Sequence, residues 1–140
     1  MPASSGGYPD FAMLLLRSVP MVMLCCFHGW GKLTAAWAHV FHGAEWGMVG
    51  FVGSMGFPVP IFFAICSALA ESIAALLVAV GFFTRYAAAI VALNLLVALY
   101  HHFRTDLKIE LVALYVIPAL VFVFTAPGKF SVDGAFARRR

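Results

Sequence analysis

A single carboxylate, Glu71, stands near the middle of an apolar stretch from Pro60 to Phe83, and it restricts what the chain can fold into more than any other feature. At about 1.5 Å per helical residue, the segment IFFAICSALAESIAALLVAVGFF is long enough to cross a hydrocarbon core of about 30 Å. A carboxylate left in lipid costs at least about 2.5 kcal/mol, so Glu71 must face other protein, water or a ligand. One helix cannot enclose it. Ala64, Ser67, Ala68, Ala74, Ala75 and Val78 recur at three, four and seven residues on its side of the helix. Small residues so spaced let neighbouring helices approach closely, which marks an inner face.

Composition places the whole chain in the same setting. Hydrophobic residues make up 64% and charged residues 11% of the 140 positions, with a mean hydropathy of +0.98. These values lie far outside the averages of soluble domains and read as an integral membrane protein. Spans of about 20 residues with short connections use most of the chain. The expected fold is therefore all-α, a single transmembrane domain over 1–140 built as a four-helix bundle, with spans at about 11–33, 60–83, 86–102 and 109–126. Residues 1–10 and 127–140 read as tails. Between Ala35 and Phe57, five glycines alternate with aromatics such as Trp37 and Trp46, which suits an interfacial or shallow re-entrant segment between helices one and two. The opening MPASSGGYPD lacks the basic region of a signal peptide.

The net charge of +3 comes largely from Arg138, Arg139 and Arg140, an orientation signal and anionic-lipid contact rather than a nucleic-acid patch. Arg85, Lys129 and this run fall on one side of the four spans, against Lys32, Arg104 and Lys108 on the other. Both termini are expected in the cytoplasm, the localisation being the plasma (inner) membrane.

Polar residues within the spans fall in stripes. Arg17, Met21, Leu24, His28 and Lys32 share one face of helix one, and Ala87, Val91, Asn94, Ala98 and His101 share one face of helix three. Arg17 and Glu71 lie at depths an arginine side chain can bridge, so they are expected to form a buried ion pair. His28, Lys32, Glu71, Asn94, His101 or His102, and Glu110 are expected to line a polar pocket in the outer half of the bundle, where cationic donors beside apolar walls suit a quinone head or a small anion. The alternative is a self-satisfied network with Lys32 neutralising Glu110. The five histidines show no metal-ligand spacing, and Cys25, Cys26 and Cys66 belong to no C-x-x-C motif. Cys25 and Cys66 sit at similar depths, which leaves a redox pair open beside the commoner role of buried apolar filler.

Arg17, then HGWGK at His28 to Lys32, the Glu71 helix ending in GFFTR at Gly81 to Arg85, Asn94, Glu110 and finally PGKFSVD at Pro127 to Asp133 together resemble the DoxX family of small four-helix bacterial membrane proteins. The resemblance implies a plasma-membrane helical bundle. Relatives include the small membrane subunit of an archaeal thiosulfate:quinone oxidoreductase, and some members are linked to membrane redox or thiol-stress complexes. No flavin, haem or iron–sulfur motif is encoded, so redox chemistry would require a partner protein, with quinone as the implied cofactor. Two function classes follow. One is a membrane subunit or partner of a redox system handling a quinone or small sulfur species, as a homo-oligomer or complex subunit. The other is a non-enzymatic bundle that binds or passes a small solute or lipid.

Overall fold

The computed structural model describes residues 7–106 and 108–139. Most of the expected amino-terminal tail and Arg140 lie outside the described residues. Among the described residues every regular element is a helix: α1 (Tyr8–His42), α2 (Gly47–Ser54), α3 (Pro60–Val80), α4 (Thr84–Thr105), α5 (Ile109–Phe124) and α6 (Val132–Ala137). α1, α3 and α4 are long and apolar enough to cross a membrane. α5 is apolar but has 16 residues, which at about 1.5 Å each falls short of a typical span.

Helix ends differ from expectation for local reasons. α1 begins at Tyr8 because Pro9 in the first turn needs no amide donor and Asp10 complements the helix dipole. It continues past Leu33 to His42, since no proline or glycine intervenes between Gly31 and Gly43. Gly43 then closes the helix in the left-handed conformation at φ 66°. The glycine-rich stretch thus divides into the last turns of α1 and the short helix α2. α3 stops at Val80, not Phe83. Gly81 takes φ 75°, and the amides of Gly81 and Phe82 donate back to the carbonyls of Val78 (3.0 Å) and Leu77 (2.9 Å).

α1 packs on α3, α3 on α4, α4 on α5, and α5 back on α1, the last contact lying mainly along Tyr8–Leu24. Met21, Leu24, Val78, Val91, Ala119 and Phe122 are fully buried between them. The small face of α3 is inward as expected: Ala64, Ser67, Ala68, Ala74, Ala75 and Val78 are all buried. Two helices contain a wider π-helical turn, Cys25–Gly29 in α1 and Ala70–Ala74 in α3, and these turns touch. Such insertions recur at functional sites because they re-aim the side chains around them.

Candidate functional site

The α1–α3 crossing is set by one glycine. A Cβ on Gly29 would lie 2.1 Å from the Glu71 carbonyl oxygen, so only glycine allows the two backbones this close. Arg17 meets Ala79 and Gly29 meets Glu71, so the two helices run antiparallel. Helical Cα–Cβ bonds tilt toward the amino terminus. Lys32, a turn beyond Gly29, therefore leans back toward Glu71, and Glu71 leans toward Lys32. Lys32 Nζ lies 2.7 Å from both Glu71 carboxylate oxygens, and Asn94 Nδ2 donates to Oε1 at 2.9 Å. Glu71 is 4% exposed, whereas the Lys32 side chain keeps 29% of its surface. The carboxylate is sealed; the ammonium is partly open.

The same tilt overturns the expected Arg17–Glu71 pair. Arg17 leans toward the start of α1 while Glu71 leans the opposite way, so the two side chains diverge. Arg17, 1% exposed, instead donates from Nε to the Ala79 carbonyl (3.2 Å), from Nη1 to the Pro127 carbonyl and from Nη2 to the Phe130 carbonyl (2.6 Å). Asp133 completes this knot. Its carboxylate accepts from the amides of Phe83 (3.0 Å) and Thr84 (2.9 Å) and from the Thr84 hydroxyl (2.7 Å), and its own amide donates to Gly81 O. Burial opposes the charge on Asp133, but the Thr84 and Phe83 bonds and nearby Arg17 outweigh it and hold the carboxyl below the ordinary range. The GFFTR turn and the PGKFSVD segment are thus two halves of one structural clasp, and what was expected as a carboxy-terminal tail is folded onto the helices as far as α6.

Above the Lys32–Glu71–Asn94 group lies a cavity of about 550 Å³. Leu24, Leu95 and Glu71, all buried, form its floor; His28, Lys32 and Tyr115 form its middle; His102, Lys108 and Glu110 stand at its mouth. The expected pocket residues are therefore brought together with one exception and one indirect member. His101 turns away and packs edge-on against Phe51, ring centroids 4.8 Å apart, because adjacent helical residues cannot share a face. His102 takes the cavity position, its Nδ1 2.9 Å from Asp106 Oδ1. That hydrogen bond is the main cause holding the Asp106 carboxyl below its usual range. Asn94 reaches the site only through Glu71. Lys32 neutralises Glu71, not Glu110, which is exposed at the mouth.

Sequence reasoning missed Gly29, Tyr115, Asp106 and Lys108. Gly29 was visible as the glycine one turn before Lys32, and Tyr115 as the one polar-tipped aromatic in an aliphatic span. Tyr115 meets His28 edge to face at 5.7 Å. Cys25 is buried while Cys26 and Cys66 face outward, and all three are free thiols, so Cys25 and Cys66 do not pair. Among the described residues no three of His, Cys, Asp and Glu converge on a point that could hold a metal ion.

An apolar chain whose described elements are all helices, three of them able to cross a bilayer, and with ionisable side chains gathered between them, is a multi-pass membrane protein. It belongs to the DoxX family, whose model matches residues 12–103, from the first turns of α1 to the end of α4. That span contains Arg17, Gly29, Lys32, Glu71 and Asn94, while Glu110 and the clasp segment lie beyond it. Comparison with curated proteins and with solved structures gave no match.

Proposed function

We propose that the chain is an inner-membrane subunit or partner of a redox system, a bundle of four spans whose outer-half cavity takes the head of a quinone or a small sulfur anion. The observation that carries this reading is Lys32: a partly open cationic donor midway up a chamber otherwise walled by Leu24, Leu95, Val112 and Tyr115. Two of its ammonium protons are engaged by Glu71, and a third is free to donate to a ligand oxygen. His28 and Tyr115 flank the same space and supply flat surfaces for a ring. Both termini are assigned to the cytoplasm, because Arg85, Lys129, Arg138 and Arg139 lie at the clasp end, against Lys32, Arg104 and Lys108 at the other. Electrons would come from a partner protein, in a homo-oligomer or larger complex, since the chain's own residues supply binding and orientation only.

A competing reading has its own support. Lys32 and Glu71 satisfy each other, as in a purely structural pair of a non-enzymatic bundle that binds or passes a solute or lipid. Purification in mild detergent followed by mass spectrometry of co-purifying lipids, quinones and proteins separates the two. A retained quinone or sulfur oxyanion, or a dehydrogenase-type partner, is the expected result; a clean oligomer carrying none of these supports the non-enzymatic bundle and ends the redox assignment.

A further inference from the structure

We infer that the cavity is entered sideways from the bilayer, through the outer half of the α1–α5 seam, by an amphiphile with an uncharged, oxygen-bearing head and an apolar tail; this rests on the cavity being a ligand site. The seams between the long helices are not equally closed. α1 and α3 touch along their length, as do α4 and α5. α3 and α4 part in their outer halves, where α2 packs on α3 and Phe51 meets His101, and the groove left there, lined by Met55, Phe57, Leu93 and Tyr100, shares no lining residue with the Lys32 cavity. α5 packs on α1 mainly along Tyr8–Leu24 and then separates from it, and among the described residues no further element covers the opening. Its lower edge is the His28–Tyr115 contact, below which Met21, Leu24, Ala119 and Phe122 close the core completely.

Leu111 marks the passage, since it lines the cavity and is still 50% exposed on the outer surface of the helix. Charge decides the kind of head. Lys32 is paired with Glu71, Lys108 lies 3.9 Å from Asp106, and Glu110 adds a further carboxylate at the mouth, so the cavity offers no surplus of lysine charge to an anion. A small hydrated anion would also give up water for walls of Leu24, Leu95, Ala98 and Val112, which return nothing for it. A neutral carbonyl head can take the remaining Lys32 donor, and its tail can lie between α1 and α5 without leaving an apolar environment. A quinone-class molecule fits this description and a sulfur oxyanion does not.

The test uses the full chain in nanodiscs and three probes: decylubiquinone, the tail-less ubiquinone-0 with the same head, and thiosulfate, with binding followed by quenching of tryptophan fluorescence. Leu111→Phe, which narrows the seam, is expected to slow decylubiquinone association about tenfold, and Leu111→Ala to hasten it, with ubiquinone-0 unaffected because it can enter from the water-facing mouth. If Leu111→Phe fails to fold, Leu111→Ala alone decides the matter. Equal effects on both quinones, or none on decylubiquinone, overturn lateral entry. Displacement of decylubiquinone by thiosulfate overturns the uncharged head. Binding of none of the three probes overturns the ligand-site reading itself.

Discussion

Replacing Gly29 with alanine should pull the Lys32–Glu71 pair apart without touching either residue. The new Cβ would sit 2.1 Å from the Glu71 carbonyl oxygen, 2.4 Å from its carbon and 2.7 Å from the Ser72 nitrogen, all of them backbone atoms that cannot rotate away. Ordinary contact begins at 3.4 Å, so α1 and α3 must separate by about 1.3 Å (3.4 − 2.1). If that shift is passed on to the side chains, the 2.7 Å Lys32–Glu71 bonds lengthen to about 4 Å, beyond hydrogen-bond range. Overpacking of this kind costs about 1–3 kcal/mol, and weakening a charge-assisted bond adds about 1.5–3 kcal/mol. The gain in helix propensity returns at most about 1 kcal/mol. A net loss of about 1.5–6 kcal/mol should follow, read as a lower midpoint in SDS titration of dodecylmaltoside micelles. Gly31→Ala is the control, because a Cβ there meets nothing within 4 Å and should be neutral or slightly stabilising. Equal stability of the two variants would refute the backbone-level crossing.

Lys32→Met should destabilise by about 3–5 kcal/mol, since it strands a buried carboxylate, and Lys32→Met combined with Glu71→Gln should cost less, as a double-mutant cycle in the same titration will show. Arg17→Met should be damaging and, unlike a change at a Glu71 partner, should gain nothing from Glu71→Gln; Arg17→Lys should be only partly tolerated, because a compact ammonium cannot reproduce the fork that reaches Ala79, Pro127 and Phe130. Asp133 titrates below its unfolded value of about 3.9 once folded, so its contribution is fully present above that pH and is lost as pH falls through the folded value. Asp133→Asn should therefore lower stability at pH 7 and weaken the fall in stability as pH drops below about 4, measured as thermal midpoints against pH. A cysteine at Ala135 should react with an impermeant maleimide in inside-out vesicles and not in intact cells; the reverse would invert the topology.

Periodicity made much of this architecture readable. The small residues around Glu71 and the Arg17-to-Lys32 stripe both point inward because lipid penalises polar and ionised groups on any other face. Partner choice was not readable from depth alone. Arg17 and Glu71 are close enough along the membrane normal to suggest a pair, but the tilt of Cα–Cβ bonds on antiparallel helices turns them apart and turns Lys32 toward Glu71. Nor was the fate of PGKFSVD visible, since a polar, glycine-containing segment carries no period, and its role depends on carbonyls and amides that any sequence presents. α1 runs on beyond the expected end at Leu33, because a helix ends where its amides lose partners, here at Gly43.

His28 provides the most direct test of the claim that the cavity is a ligand site. Its ring borders the chamber and meets Tyr115 edge-on, while the hydrogen bonds of Lys32 and Asn94 to the buried Glu71 carboxylate do not involve it. Native mass spectrometry of the wild type and His28→Ala, released from the same detergent and matched for SDS unfolding midpoint, reads occupancy directly. A bound small-molecule mass on the wild type that is lost from an equally stable His28→Ala is the predicted result; a wild type with no bound mass, or a variant that retains it undiminished, would contradict the account.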